Sequence, residues 1–333
     1  MIKKIIAFIV YFIILICSSQ TLILSSYLVG KSKEISLLVK NLFIDISSFI
    51  YTKFFDSKIL YSGEYKKTDK VDIVISNHIN TIDYCNYSSI IKNFDDSGLS
   101  IILKKEEMFT IGSGLIMASS SEIFLNRKLE DDINNISKSI NSINNGAIVI
   151  MPEGTRYTEE KKKLAEQYSK DNNLPVFKNT LFPKMKGLWI VINELKKQDK
   201  LGNIIDITLK LDKLDKNAGP KFSHFLKKDF GDSYNIINSY TIPDDKIEDY
   251  DIFKKWFLNK IWEKKDKILT NFDKNKYNFK QINSDMKPHT YMLVIIIICW
   301  YLYLVKKTNF LYILFGFLAS YIIVYYKYRK ISN

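Results

Sequence analysis

Cysteine, histidine and arginine are scarce in this chain of 333 residues, with three of each. The cysteines, Cys17, Cys85 and Cys299, stand far apart without paired spacing and signal neither a disulfide framework nor a zinc site. Three histidines argue equally against a multi-His centre, so no metal and no bound cofactor is expected. Acidic residues are missing from both ends. Residues 1–33 carry four positive charges and no negative one, and residues 286–333 carry six and none. Ten of the thirteen net positive charges therefore lie there, leaving 39 basic against 36 acidic residues in 34–285. That distribution favours an anionic lipid surface over nucleic acid as the partner. A composition with 26% charged and 14% aromatic residues excludes intrinsic disorder, and the length suggests about two domains.

The ends are also where long uncharged runs occur. Ile5 to Gly30 holds no charge and is long enough to cross a bilayer core, which takes about 20 residues. A cleaved signal peptide would want a shorter apolar region, and apolar sequence resumes directly after Cys17-Ser18-Ser19, so residues 1–30 are expected to be a membrane helix. Two further runs, 290–305 and 310–326, are separated by Lys306, Lys307, Thr308 and Asn309. Each is slightly short for a full crossing, so a spanning or re-entrant hairpin is expected over 287–333, with a buried hairpin as the alternative. If both runs span, the larger basic count puts the intervening domain on the cytoplasmic side.

Between these ends, short β-rich runs alternate with helix-length polar segments. Residues 71–76, 100–103, 147–151 and 204–209 read as buried strands; 84–93, 130–144, 157–172 and 186–199 read as helices. Alternation of this kind predicts an α/β domain over 57–220. Residues 31–56 form an amphipathic connector, with Ile35, Leu38, Leu42, Ile46 and Phe49 at helical spacing, suited equally to a membrane surface or to a core. Residues 221–286, with Trp256, Phe257 and Trp262 on one helical stretch, read as an accessory helical segment.

The chemistry gathers at two strand ends. The strand at 71–76 runs into Asn77-His78, and Asp83 follows five residues after the histidine. A carboxylate there can orient the imidazole and leave its other nitrogen as a general base. His224 and Asp229 share the spacing, but lie among lysines with no strand before them, whereas open α/β sheets place ligands beyond the carboxyl ends of strands. The second strand end is 148–151, followed by Pro152-Glu153-Gly154-Thr155-Arg156. Arginine supplies only three of 49 positive charges, and a chain so committed to lysine is expected to keep its planar five-donor fork for binding an oxyanion. Two of the three, Arg127 and Arg156, flank these segments. Cys85 is read as a packing residue before a nucleophile.

These residues resemble the phospholipid/glycerol acyltransferase superfamily, and specifically the 1-acylglycerol-3-phosphate acyltransferases. Four blocks match in order: Asn77-His78 to Asp83, Ile123 to Arg127, Pro152 to Arg156, and Leu181-Phe182-Pro183-Lys184-Met185-Lys186-Gly187. The stretch from Glu153 to Gly187 resembles the eukaryotic multi-span branch, which also holds lysocardiolipin and lysophosphatidylinositol acyltransferases. Met151 departs from the family's phenylalanine, and Ile79 and Asn80 from its commoner polar pair. The resemblance implies a mixed β-sheet flanked by helices and an acyl-CoA-dependent transfer to the sn-2 hydroxyl of lysophosphatidate. His78 is then the base and Asp83 its orienting partner. Arg156 binds the acceptor phosphate, with Asn77, Arg127, Glu153, Gly154, Thr155, Pro183, Lys186 and Gly187 lining or shaping the substrate site. Acyl-CoA enters as co-substrate, in an endoplasmic-reticulum-type membrane if the source is eukaryotic. Another lysophospholipid as acceptor, or a non-catalytic phospholipid-binding protein, are the other readings.

Overall fold

A computed structural model of the protein describes residues 32–110, 122–126, 129–213 and 231–283, apart from 55, 81, 82 and 96, together with isolated positions elsewhere. The three long apolar runs expected to meet the membrane lie almost wholly outside the described residues, as does Arg127. Among the described residues, no helix is long and apolar enough to cross a membrane.

The chain divides into two compact units. The first comprises residues 1–54, 102–135 and 284–333. Its described part opens with α1 (Ser32–Phe49), which runs into a π-helical turn at Ile50–Phe54. Leu42 and Ile46 from the predicted stripe are buried, with Val39, Phe43 and Ile44 beside them, whereas Leu38 is 53% exposed. Lys40 interrupts this apolar surface without being exposed, because its Nζ pairs with Glu122 at 2.5 Å. A buried pair of this kind is viable only when both charges find each other.

The second unit, residues 55–101 and 136–283, carries a mixed sheet. Its strands are β1 (Ile59–Gly63), β2 (Val71–Ser76), β3 (Leu99–Lys104), β5 (Gly146–Ile150), β6 (Leu201–Leu211), β7 (Ser233–Tyr240) and β8 (Lys280–Gln281), in the order β3-β5-β2-β6-β7-β1-β8. The last residues of β3, from Ile102, belong to the first unit and pair there with β4 (Ile123–Leu125). Strands β3, β5, β2 and β6 are parallel neighbours; β7 runs antiparallel to β6 and parallel to β1. Every residue of β2 and β5 is buried, as expected of parallel strands covered on both faces. The acid within β2, Asp72, accepts hydrogen bonds from Thr68 N–H, Thr68 Oγ1–H and Asn203 N–H.

Helices α2 (Asp83–Phe94), α3 (Leu129–Asn141), α4 (Glu159–Asp171) and α5 (Met185–Lys197) fall where sequence periodicity places them. In α5 the buried set Met185, Leu188, Val191, Ile192 and Leu195 follows the 3.6-residue period and forms its core face. Gly146 starts β5 with φ +95°, and a Cβ there would lie 2.5 Å from the carbonyl oxygen of Gly98, so only glycine fits this helix-to-strand join. The stretch 221–286, read as an accessory helical segment, supplies two strands of the sheet, Ser233–Tyr240 and Lys280–Gln281, and is helical only between them: α6 (Tyr250–Phe257), a π-helical turn (Leu258–Trp262) and α7 (Glu263–Thr270) form one rod in the same unit.

Candidate active site

Beyond the last residue of β2, the chain is pinned before it reaches the histidine. Asn77 is buried, and its amide does what a strand residue's backbone would do: Nδ2–H donates to the Leu209 carbonyl at 2.9 Å, and Oδ1 accepts Leu209 N–H at 2.8 Å. The ladder between β2 and β6 is thus extended by a side chain. His78 follows, with its backbone N–H donating to Glu153 Oε2 at 3.1 Å and its carbonyl accepting Tyr157 N–H at 2.7 Å. Both backbone groups of the histidine are therefore taken, which leaves its ring as the part that faces outward.

The ring is held by Asp83, the first residue of α2. Nδ1 of His78 lies 2.9 Å from Asp83 Oδ2, and the same oxygen accepts the N–H groups of Ile79 and Asn80 at 2.6 and 2.9 Å. Three donors thus converge on one carboxylate oxygen at the start of a helix. With Nδ1–H donating to a carboxylate, the free lone pair sits on Nε2. The side chain of His78 is 26% exposed and that of Asp83 only 2%, so the imidazole is reachable from solvent and the carboxylate that holds it is not.

The end of β5 supplies the turn against which this histidine rests. Gly154 adopts φ +66°, and its N–H donates to the Met151 carbonyl at 3.0 Å. Glu153 is buried beneath the turn with one oxygen on His78 N–H and the other, Oε1, on Leu181 N–H at 3.2 Å. Burial pushes its carboxyl up to about 8, against the two backbone donors and the charge of Lys265 that favour ionisation, with Asp83 adding to the rise. Glu153 thus joins the first and fourth sequence blocks from below. Thr155 Oγ1 accepts from Lys161 Nζ at 2.5 Å, and the same ammonium reaches the Arg156 carbonyl at 3.2 Å. Arg156 is half-buried on this turn.

The fourth block leads into α5. Lys184 N–H donates to the Pro152 carbonyl at 2.6 Å, which docks this segment on the third block. Pro183 is buried, Lys184 and Lys186 are exposed, and a Cβ on Gly187 would meet nothing within 4 Å. The start of α5 has no side-chain cap, so its first N–H groups and two lysines lie together at a helix N-terminus, an arrangement suited to an anion. Among the described residues no group of three or more His, Cys, Asp or Glu side chains is placed to hold a metal ion. Cys85 lies on the first turn of α2, partly buried.

Of the expected site residues, His78, Asp83, Glu153, Gly154, Thr155, Arg156, Pro183, Lys186 and Gly187 all fall in the second unit, and Asn77 and Glu153 serve the backbone there. Sequence reasoning missed Lys161, whose one signal is a lysine in the first turn of the helix after the Gly-Thr-Arg turn. It also missed the rod from Leu258 to Thr270 as a support for these blocks.

Residues 58–202 match a family model described as Acyltransferase. The chain is 24% identical over 236 residues to a probable 1-acyl-sn-glycerol-3-phosphate acyltransferase 5 from Arabidopsis thaliana, covering 68% of this chain and 60% of the relative. It is 23% identical over 231 residues to lysocardiolipin acyltransferase 1 from Mus musculus, with the same two shares. Against the human 1-acyl-sn-glycerol-3-phosphate acyltransferase delta, identity is 29% over 202 residues, 58% of this chain and 51% of the relative. The chain thus spans about half to three fifths of the length of these relatives.

Proposed function

Through residues 58–202 the chain belongs to the phospholipid/glycerol acyltransferase superfamily, and from that premise we propose that it is an O-acyltransferase of lysophospholipids, with lysophosphatidate as acceptor and acyl-CoA as donor. One observation carries the reading: a solvent-reachable imidazole whose Nδ1 is tied to a buried carboxylate at 2.9 Å. In the proposed reaction His78 Nε2 takes the proton from the sn-2 hydroxyl as that oxygen attacks the thioester carbonyl. The carbon–sulfur bond then breaks, CoA leaves as thiolate, and the proton on His78 passes to it or to solvent. Asp83 keeps the tautomer and balances the imidazolium that forms in between.

The acceptor phosphate is assigned to Arg156 with Lys184 and Lys186 at the start of α5. A phosphate there would offset a cluster of positive charge that otherwise opposes the helix dipole. Thr155 and Lys161 shape the turn that carries Arg156. Arg127 is proposed as a further cation of this site. The apolar runs at 5–30, 290–305 and 310–326 suggest a membrane-held protein with this domain on the cytoplasmic face.

Thiol release from acyl-CoA with a panel of lyso-acceptors tests the proposal. Turnover with lysophosphatidate that disappears in His78→Ala is expected. The similarity to lysocardiolipin acyltransferase 1 makes lysocardiolipin the second acceptor of the panel, and preference for it would correct the substrate alone. No turnover above the His78→Ala level with any acceptor would leave a phospholipid-binding protein and sink the enzyme reading.

A further inference from the structure

The loop that enters the fourth block, residues 178–181, lies outside helices and strands, so its successive backbone N–H groups have no partners in a regular element. Thr180 and Leu181 are buried, and buried donors must be paired somewhere. The N–H groups of Lys178, Asn179 and Thr180 converge on the carboxylate of Asp266 at 3.0, 2.7 and 3.2 Å, and that of Leu181 goes to Glu153 Oε1 at 3.2 Å. Asp266 belongs to α7, in the helical rod that lies outside the segment 58–202 matching the acyltransferase family.

Asp266 does not act alone. Trp262 stands four residues earlier, on the same helical face, and its Nε1–H donates to the Leu181 carbonyl at 3.1 Å. Thr270 stands four residues later and accepts Asn179 Nδ2–H on Oγ1 at 2.8 Å. Trp262 and Asp266 are both buried, and the indole stacks on Phe257 with ring centroids 5.9 Å apart, so packed side chains deliver these polar tips. Both backbone groups of Leu181 are thus taken, one by the third block and one by the rod. Only residues 181–184 separate Thr180 from Met185 at the start of α5, and within them Lys184 N–H is tied to the Pro152 carbonyl at 2.6 Å. The first turn of α5 is therefore placed from two sides.

We propose that Asp266 and Trp262 are positioning residues of the acceptor site: they hold residues 178–181 so that the start of α5, with Lys184 and Lys186, keeps its place beside the turn that carries Arg156. The kinetic part of this inference rests on the reading above, which assigns the acceptor phosphate to those groups. His78 keeps anchors of its own, through Asn77 on Leu209 and Asp83 on the ring. Loosening the loop therefore weakens the grip on the acceptor equally in the ground state and the transition state, which raises the acceptor KM and spares kcat.

The test uses the full chain with Asp266→Ala, which strips the acceptor from three N–H groups, and Trp262→Phe, which removes one donor and keeps an aromatic ring in the core. Phe253→Leu, in α6 of the same rod and with no polar group to offer the loop, controls for lost stability, which denaturation measures in all three. Thiol release gives kcat and the KM values for acyl-CoA and for lysophosphatidate, or for lysocardiolipin if that is the better acceptor. The acceptor KM is expected to rise about tenfold in Asp266→Ala and about threefold in Trp262→Phe, with kcat and the acyl-CoA KM within about twofold of wild type. Amide hydrogen exchange of a peptide covering 178–187 is expected to rise about tenfold or more in Asp266→Ala while β2 and β5 keep their protection. If Asp266→Ala does not fold, a rise of exchange in Trp262→Phe decides in its place. Wild-type exchange at 178–187 or an unchanged acceptor KM would overturn the proposal. So would equal rises in both KM values, or the same acceptor effect in Phe253→Leu, which would reduce the two residues to general support of the rod. Exchange needs no turnover, so a chain that acylates none of the acceptors sinks the functional reading, while exchange at 178–187 still decides whether the rod holds the loop.

Discussion

The side chain of Asn77 and the backbone of Leu209 exchange two hydrogen bonds, at 2.9 and 2.8 Å, one residue before the histidine of the site. A side chain thereby replaces a strand's backbone at the point where β2 has ended, and the position of His78 is inherited from the sheet. Asn77→Ala leaves a buried N–H and a buried carbonyl on Leu209 without partners, each costing about 1–3 kcal/mol. Chemical denaturation should show a loss of about 2–4 kcal/mol on the same scale. Asn77→Asp keeps the acceptor but sets a second oxygen against the Leu209 carbonyl in this buried place, and is expected to lose at least as much.

His78 and Asp83 are expected to separate in kinetics. His78→Ala should remove thiol release to the level of the no-enzyme control. Asp83→Asn retains an oxygen for the N–H groups of Ile79 and Asn80 but no longer enforces the tautomer, so kcat should fall by roughly 10²–10⁴ with a small change in thermal stability. A fall in stability as large as that of Asn77→Ala, with kcat preserved in the folded fraction, would make Asp83 a helix-start residue only.

Glu153 makes the fold pH-dependent in a direction opposite to most carboxylates. Its native carboxyl is raised from 4.5 to about 8, so the native state holds a proton that the unfolded chain has released. The stabilisation relative to the unfolded chain is complete below about pH 4.5 and is lost as pH rises through about 8. Glu153→Gln cannot titrate, so the stability of the wild type relative to this variant should decline across that window. Thermal melts of the two proteins from pH 5 to pH 9 measure it, and parallel curves would show that Glu153 does not hold the proton.

Gly154 should tolerate a methyl sterically and resist it conformationally. A Cβ would come 3.3 Å from Lys184 Cδ, the flexible part of an exposed side chain, but φ +66° costs an L-residue about 1–2 kcal/mol. Gly154→Ala is therefore expected to lose that amount by denaturation. The acceptor KM should rise as well, because the turn carries Arg156.

Arg156→Lys keeps the charge and removes the planar fork. If Arg156 holds the acceptor phosphate, the acceptor KM rises by roughly 10- to 100-fold, the equivalent of about 1.5–3 kcal/mol for charged hydrogen bonds, with the acyl-CoA KM little changed. Equal effects on both substrates would place the phosphate elsewhere.

Much of the second unit is legible in local sequence. Residues 71–76 and 147–150 are mainly apolar runs followed by polar, turn-forming residues, and they are two parallel core strands whose carboxyl ends carry the candidate site. β7, by contrast, is read as part of the accessory helical segment 221–286, because Ser, Asn and Tyr interrupt the apolar pattern at Ser233–Tyr240. Its strand character comes from pairing antiparallel with β6 and parallel with β1, contacts between residues far apart in the chain. The connector at 32–49 shows the same limit: spacing predicts a stripe, but only packing buries Leu42 and Ile46 and leaves Leu38 exposed.

What the sequence by itself determined is the set of chemical groups and their order: a histidine and an aspartate after one strand, a Glu-Gly-Thr-Arg turn after another, and a lysine-flanked helix start. Short-range spacing and strand ends carry that information because His78 and Asp83 are neighbours along the chain as well as in space. Only the tertiary structure decided that Glu153 faces inward, joining His78 to Leu181, and that Lys265, far along the chain, is buried against Asp206 of β6. Burial and long-range hydrogen bonding set those roles. A glutamate next to a glycine turn and a lysine on a helix look like surface residues until the sheet and the rod have closed over them.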